Sequence, residues 1–317
     1  MLHIRLRLTR ASVLRLTVWT VLVLLMASCA SSSAQPEFFG QDDGRDMLSV
    51  RYFYLEAEEK SGDAILITAP DGRRLLIDAG VPGAGPQLDE MLRKIGVEKL
   101  DAVVSTHPHI DHIGGLTTLL RTMPVDAYYH NGIPHTTETY RKVQAALKDK
   151  GIPEEAVGEG DVIEWSPEVT IEVLNPPAGT SPDKFEVWGT EELNNHSLTL
   201  LVTYGDIRML FPADIYKSQE YDLVDKYGER LQADLLHAPH HGDDTSSSPA
   251  FVRAVQPKYV VMSANHFQSL DIMKRYERRG AEVYVTGLNG HLLFLTDGTE
   301  LHAVPERAER SLAQDSP

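Results

Sequence analysis

With 46 acidic against 30 basic side chains in 317 residues, the chain carries a formal charge of −16 at neutral pH, a balance that works against broad nucleic-acid binding because an acidic surface repels phosphates. Its single cysteine excludes an internal disulfide framework. No period of twenty to fifty residues recurs, which excludes a solenoid.

The N-terminus reads as an export signal: Arg5, Arg7, Arg10 and Arg15 precede an uncharged apolar stretch from Leu16 to Met26 that is too short to span a membrane comfortably. It ends in Met26-Ala27-Ser28-Cys29, which resembles the lipobox of bacterial lipoproteins. The reading is a signal peptide over 1–28, cleaved before Cys29, with a lipid on that residue holding the protein to the cell envelope. Ala30 points to the outer membrane if the source has two membranes. The leader holds four of the basic residues and no acid, so the remainder carries 26 against 46, a formal charge of −20 without any basic run. Residues 29–46 are rich in Ser, Gln, Gly and Asp and predict a tether.

Strands are predicted over Ser49 to Leu55, Ala64 to Thr68 and Arg73 to Asp78, the last after the turn Pro70-Asp71-Gly72. Leu88, Met91, Leu92 and Ile95 have helical spacing up to Gly96. A strand from Asp101 to Ser105 leads into a histidine cluster, and Ile113 to Leu120 continues as a helix. Thr136 to Lys150 predicts a helix, and Val169 to Leu174, His196 to Thr203, Ile207 to Phe211, Ala233 to Leu236 and Lys258 to Met262 predict strands. Leu270 to Arg279 closes the helices, and Glu282 to Thr286 and His291 to Leu295 the strands. Two groups of strands with helices imply one α/β domain, residues 47–304, of two face-packed sheets with helices outside, followed by a flexible tail at 305–317.

His107, Pro108, His109, Ile110, Asp111 and His112 place three imidazoles and a carboxylate within six residues, a ligand set for Zn²⁺ and similar cations. On an extended segment His107 and His109 project to one side and can meet one cation. Asp111 and His112 follow the turn into the helix and can face a second. Gly114-Gly115 lets that helix pack close beneath the loop. Further candidates stand at the ends of apolar runs: Asp214 after Met209 to Ala213, the pair His240-His241, and His196 after Asn194-Asn195. Asp78 is a candidate for orienting a ligand or for capping a turn.

With these residues the chain resembles the metallo-β-lactamase superfamily, and more closely the hydrolase domain of ComEC-type DNA-uptake proteins. The resemblance runs through Gly62-Asp63-Ala64, Leu76-Ile77-Asp78-Ala79-Gly80, the His107 to Leu116 segment, Asn194-Asn195-His196-Ser197-Leu198 and Ala238-Pro239-His240-His241-Gly242. It implies a four-layer αββα sandwich with two divalent cations between the sheets, zinc or else manganese. Carried over, it puts His107, His109 and His196 on the first cation and Asp111, His112 and one of His240 and His241 on the second, with Asp214 bridging. His240 is the favoured ligand, with His241 supporting a ligand from behind or contacting substrate, and Asp111 helping to hold a metal-bound hydroxide. The pattern departs from the family at Glu58 to Asp63, at Ala213 and at Ser263 to Gln268. These positions lie toward the substrate side, so the hydrolytic machinery carries over better than the substrate. His266 and His291 are candidates for the cleft wall or plain loop and strand-end residues.

Such a centre hydrolyses phosphodiesters or related esters, and the acidic surface favours a small substrate over extended nucleic acid. A lactam or lactone hydrolase and a non-catalytic metal-binding lipoprotein are the competing readings. A diiron redox site would want an additional carboxylate, and none lies between His107 and His109.

Overall fold

Period-two alternation builds the centre of the protein. In β1 (Leu48–Tyr52) the side chains of Leu48, Val50 and Tyr52 enter one buried layer, and they are joined there by Ile65 and Ile67 of β2 (Ile65–Thr68), Leu75 and Ile77 of β3 (Arg74–Ile77), and Ala102 and Val104 of β4 (Ala102–Ser105). The intervening Leu66, Leu76 and Val103 belong to a different layer, because successive strand residues point to opposite faces. The computed structural model describes residues 38–40, 47–56, 62–184, 188–265 and 268–307. The predicted signal peptide, Cys29, most of the tether, Glu58 to Ser61, His266 and the tail from 308 lie outside them.

The first sheet has eight strands. It adds β5 (Tyr128–His130), β6 (Glu154–Ala156), β13 (Leu292–Thr296) and β14 (Leu301–Pro305), in the order β14-β13-β1-β2-β3-β4-β5-β6. From β3 to β6 the pairing is parallel. The second sheet has six strands: β7 (Thr170–Asn175), β8 (Thr199–Tyr204), β9 (Ile207–Phe211), β10 (Leu235–His237), β11 (Tyr259–Met262) and β12 (Glu282–Val285). It is antiparallel from β7 to β9 and parallel from β9 to β12.

Leu200, Val202, Met209, Phe211, Leu235 and Val261 of the second sheet meet the inner residues of the first in one core. Helices α1 (Gly85–Lys94), α2 (Ile110–Ile113), α3 (Leu116–Thr122) and α4 (Glu138–Lys150) belong to the first sheet, and Leu88, Leu92, Leu119 and Leu147 bury its outer face. Short α5 (Thr190–Asn195) leads into β8. The second sheet is covered by α6 (Lys217–Tyr227), α7 (Pro249–Val255) and α8 (Leu270–Glu277), through Leu223, Phe251 and Ile272. The result is the predicted αββα sandwich. Each fully buried Leu, Ile or Phe contributes about 1.5–3 kcal/mol, so truncating Phe211 in the middle layer would cost roughly 3–5 kcal/mol.

Local chemistry sets the ends. Thr137 caps α4 by accepting from Tyr140 N at 3.3 Å, and Gly151 ends it in the left-handed region (φ 64). The predicted helix from Ile113 is two helices separated by Gly114-Gly115, and Asp111 and His112 sit inside the first. A Cβ on Gly115 would lie 2.2 Å from Ala79 O, so the close packing read from the pair is required here. The strand predicted from His196 starts at Thr199, because His196 still closes α5 with its N–H donating to Glu192 O.

Residues 38–40 of the predicted tether and 305–307 of the predicted tail bond to the domain. Within the predicted tether, Phe38 is buried, and Arg51 donates to Phe38 O at 2.9 Å and to Gly40 O at 3.0 Å. At the other end Pro305 completes β14, and Glu306 and Arg307 donate backbone bonds to His291 and Asn289. Among the described residues no helix is long and apolar enough to cross a membrane.

Candidate metal centre

The centre collects at the carboxyl ends of parallel strands in both sheets, where open α/β sheets place their sites. Asp78 follows β3, His107 follows β4, Asp214 follows β9, and His237 to His241 end and follow β10. Four of the six non-glycine residues with left-handed backbone among the described residues are here: Asp78 (φ 57), Ala213 (φ 50), His240 (φ 49) and His241 (φ 57). Such conformations persist only where the surroundings over-determine them. His240 N, for example, donates to Ala213 O at 2.9 Å.

One carboxylate organises the imidazoles. Asp214 Oδ2 lies 3.2 Å from His112 Nε2, 3.5 Å from His241 Nε2, and 3.8 Å from both His107 Nε2 and His240 Nε2. The other nitrogens are held from behind. His112 Nδ1 is 2.8 Å from Asp78 Oδ2, His240 Nδ1 is 2.6 Å from Thr245 Oγ1, and His241 Nδ1 is 3.4 Å from Asp63 Oδ1. Asp78 is itself fixed by Thr106, whose N–H and hydroxyl donate to it at 2.8 and 2.6 Å. Asp78 thus links Thr106 to the His112 ring.

The remaining predicted residues have the following neighbours. His107 Nε2 and His109 Nδ1 face each other at 2.9 Å. Asp111 Oδ2 is 3.8 Å from His241 Nε2. His196 turns Nδ1 to Glu192 O at 2.7 Å, and its segment is tied to the cluster where Leu198 N donates to Thr106 O at 2.9 Å. Of the pair, His241 is the ring between Asp111 and Asp214, whereas His240 reaches Asp214 alone and stacks obliquely on Tyr216. His291 is elsewhere: it stacks on Phe38 at 4.5 Å and accepts from Tyr54 N at 3.0 Å.

Two participants carry no role in the sequence reading. Asp63 Oδ2 pairs with His237 Nε2 at 2.9 Å while Oδ1 faces His241. The inward parity of β10, with Leu235 in the inner core, is the signal that aims His237 between the sheets.

Burial disfavours charge on the rings of His107, His109, His112, His240 and His241. It pushes His107 well below the usual histidine range, with the His112 ring adding to it, and takes His109 down to about 4. At His112 and His241 burial acts the same way but is outweighed. Asp214 and Asp78 hold His112 well above its ordinary value, and Asp214 and Asp63 do so for His241. Against burial, His237 and His241 hold Asp63 low, and His112 and His241 hold Asp214 low. For Asp78 burial outweighs His112 and Thr106, and its carboxyl is raised.

This donor set fits a divalent cation. Two ligands bound at 2.0–2.2 Å stand about 2.8–3.6 Å apart across an edge of the coordination shell, and most separations above lie in or near that range. Ligand atoms of Asp63, His112, Asp214 and His241 all fall within 4.8 Å of one another. Asp214 Oδ1 is buried without a hydrogen bond, and His241 Nε2 makes only the ion-pair contacts given. Buried acceptors left so are costly unless a cation supplies the missing contact.

Comparison with known proteins agrees with this geometry. The family model described as the metallo-beta-lactamase superfamily matches residues 57–266. ComE operon protein 3 of Bacillus subtilis (strain 168) is 27% identical over 256 residues, 74% of this chain and 31% of that protein. Competence protein ComA of Neisseria gonorrhoeae is 29% identical over 228 residues, 70% of this chain and 29% of that protein. The matches therefore span less than a third of these curated relatives. In three dimensions the long form RNase Z from yeast aligns with a TM-score of 0.55 at 9% identity, over 84% of this chain and 51% of that one. The metallo-beta-lactamase fold protein YhfI from Bacillus subtilis gives 0.50 at 17%, over 76% and 96%. These likenesses establish the fold.

Proposed function

The chain belongs to the metallo-beta-lactamase superfamily and has the fold and buried His/Asp cluster of a metal-dependent hydrolase; from that premise we propose that it cleaves phosphodiesters or related esters at a two-cation centre. The observation that carries the proposal is Asp214, whose Oδ2 is shared among Nε2 atoms of His107, His112, His240 and His241. A carboxylate so shared is suited to bridge two cations.

We assign His107, His109 and His196 to the first cation and Asp111, His112 and His241 to the second, with Asp214 common to both. His241 takes the place expected for His240, because its ring stands between Asp111 and Asp214. The nitrogen-rich donor set suits zinc, with manganese the other fit. Bound there, two divalent cations would make a water acidic enough to supply hydroxide near neutral pH and would offset charge at the attacked centre.

The protein supplies orientation and proton handling. Asp78 and Asp63 hold the Nδ1 atoms of His112 and His241, leaving Nε2 to face inward. His240, fixed by Thr245 and Tyr216, is placed to meet the departing oxygen with Nε2. The negative balance favours a small phosphodiester over a long nucleic acid, and Cys29 would tether the enzyme outside the cytoplasm.

A panel of chromogenic phosphodiesters and dinucleotides, run beside nitrocefin and an acyl-lactone on protein reconstituted with Zn²⁺ or Mn²⁺, tests this. Turnover of phosphodiesters that is lost in Asp111→Ala is the expected result. Turnover confined to nitrocefin or the lactone would replace it with carbonyl chemistry, and none at all would leave a binding protein. Replacing Cys29 by Ser is expected to move the protein from the membrane to the soluble fraction.

A further inference from the structure

We propose that Glu220, a buried carboxylate outside the metal centre, is a positioning residue that sets the loop carrying His240 and His241 against Asp214. The inference rests on the two-cation reading above. Glu220 sits in the first turn of α6, six residues beyond Asp214, and is fully buried together with Ser246, Ser247 and Ser248. Its carboxylate accepts the backbone N–H of Ser247 on Oε1 and that of Ser248 on Oε2, the second at 2.6 Å.

Those bonds belong to a seam. Ser246 Oγ donates to Ile215 O at 2.7 Å, and Lys217 N donates to Thr245 O at 3.0 Å. Four successive contacts therefore fasten residues 245–248 to the segment running from Asp214 into α6. From the far side Arg275 donates to Ser247 O, and Tyr276 Oη donates to Ser247 Oγ at 2.8 Å. At the near end Thr245 Oγ1 meets His240 Nδ1 at 2.6 Å.

The loop needs such fastening. Within nine positions it holds three non-glycine residues in the left-handed region, His240 (φ 49), His241 (φ 57) and Ser247 (φ 58), and each would relax to ordinary backbone if its surroundings allowed. Ser247, which Glu220, Arg275 and Tyr276 grip together, is the strained residue farthest from the ligands. Releasing it frees the loop end that fixes Thr245 and, through it, the histidine pair. The first cation draws its own ligands from β4 and α5 and shares only Asp214 with the second, so none of its own ligands lies on this loop.

Glu220→Gln keeps the size of the side chain but turns an amide N–H₂ toward one of the two backbone donors. Zn²⁺ affinities are read by competition with a chromogenic chelator on protein shown to be folded by near-ultraviolet circular dichroism. The expected result is that one of two affinities falls about tenfold, the size of effect seen for groups that orient ligands, while the other stays within about twofold. Tyr276→Phe, which removes only the hydroxyl, is expected to weaken the same affinity by less and covers the case in which Glu220→Gln does not fold. Two unchanged affinities, or two that fall together, would overturn the assignment of Glu220 to the loop. Wild-type protein that takes up fewer than two equivalents would instead overturn the two-cation reading, and this inference with it.

Discussion

Asp214 Oδ2 lies 3.2 Å from His112 Nε2, with both groups fully buried between the sheets. Buried opposite charges of this kind are retained where something further completes their coordination, since an ion pair in low dielectric does not repay its own desolvation unless the geometry is excellent. Asp214→Asn preserves the shape and removes the shared charge. It is expected to lower the second-equivalent metal affinity by at least about 100-fold and to abolish turnover, as measured by metal analysis after dialysis and by phosphodiester assay. Full retention of two metals would remove Asp214 from the bridge.

His241 and His240 are separated by the same substitutions. His241→Ala is expected to lose the second cation, whereas His240→Ala is expected to keep both and to lower kcat more than it raises KM. Elemental analysis of the two variants decides between them. The reverse pattern would restore His240 as the ligand.

Metal uptake is expected to release protons. His112 and His241 are held well above the ordinary histidine range by Asp214 with Asp78 and by Asp214 with Asp63, so near neutral pH the metal-free centre keeps protons that cations must displace. Affinity should therefore rise with pH. Calorimetry in buffers of different ionisation enthalpy measures the release, and identical heats in all buffers would contradict it.

Metal-free stability has a second pH dependence of opposite origin. The folded pKa of His109, about 4, lies below its unfolded 6.5, so its stabilising contribution is complete above 6.5, is lost as pH falls toward 4, and levels off below. His112 and His241 have raised folded values, and theirs is present below 6.5 and lost as pH climbs through the folded pKa. Relative to His109→Gln, the wild-type chain is thus expected to lose about 2 kcal/mol between pH 7 and 4.5. Urea unfolding of both apo-proteins at the two pH values gives the difference, and parallel curves would refute it.

Phe38 to Gly40 are expected to belong energetically to the folded domain. Arg51 is buried and reaches Phe38 O and Gly40 O, and Phe38 packs on Phe53 and His291. Phe38→Ala should cost about 2–4 kcal/mol, measured by denaturant midpoint. A change under about 0.5 kcal/mol would mark the segment as a free tether.

Much of this was readable in the chain because the signals are local. The alternation in Leu48 to Tyr52 and Ile207 to Phe211 declares inner and outer faces, and His107 to His112 carries its chemistry in six residues. What escaped depends on distant partners. His237 and Asp63 are 174 residues apart, and only sheet packing makes them neighbours. Glu220 lies in a stretch for which no element is predicted, and it gains a role only where Ser247 and Ser248 are brought against it. Choosing between His240 and His241 turned on which ring stands between Asp111 and Asp214, which adjacent residues of one type do not reveal. Short β5 and β6 escaped too, having three residues each and, in Glu154 to Ala156, no apolar pattern.

The most direct test of the two-cation centre is anomalous diffraction at the zinc edge from crystals of the reconstituted protein. The account predicts two peaks about 3.5–4 Å apart, one beside His107, His109 and His196, the other beside Asp111, His112 and His241, with Asp214 between them. A single peak, or two peaks that do not share Asp214, would contradict it.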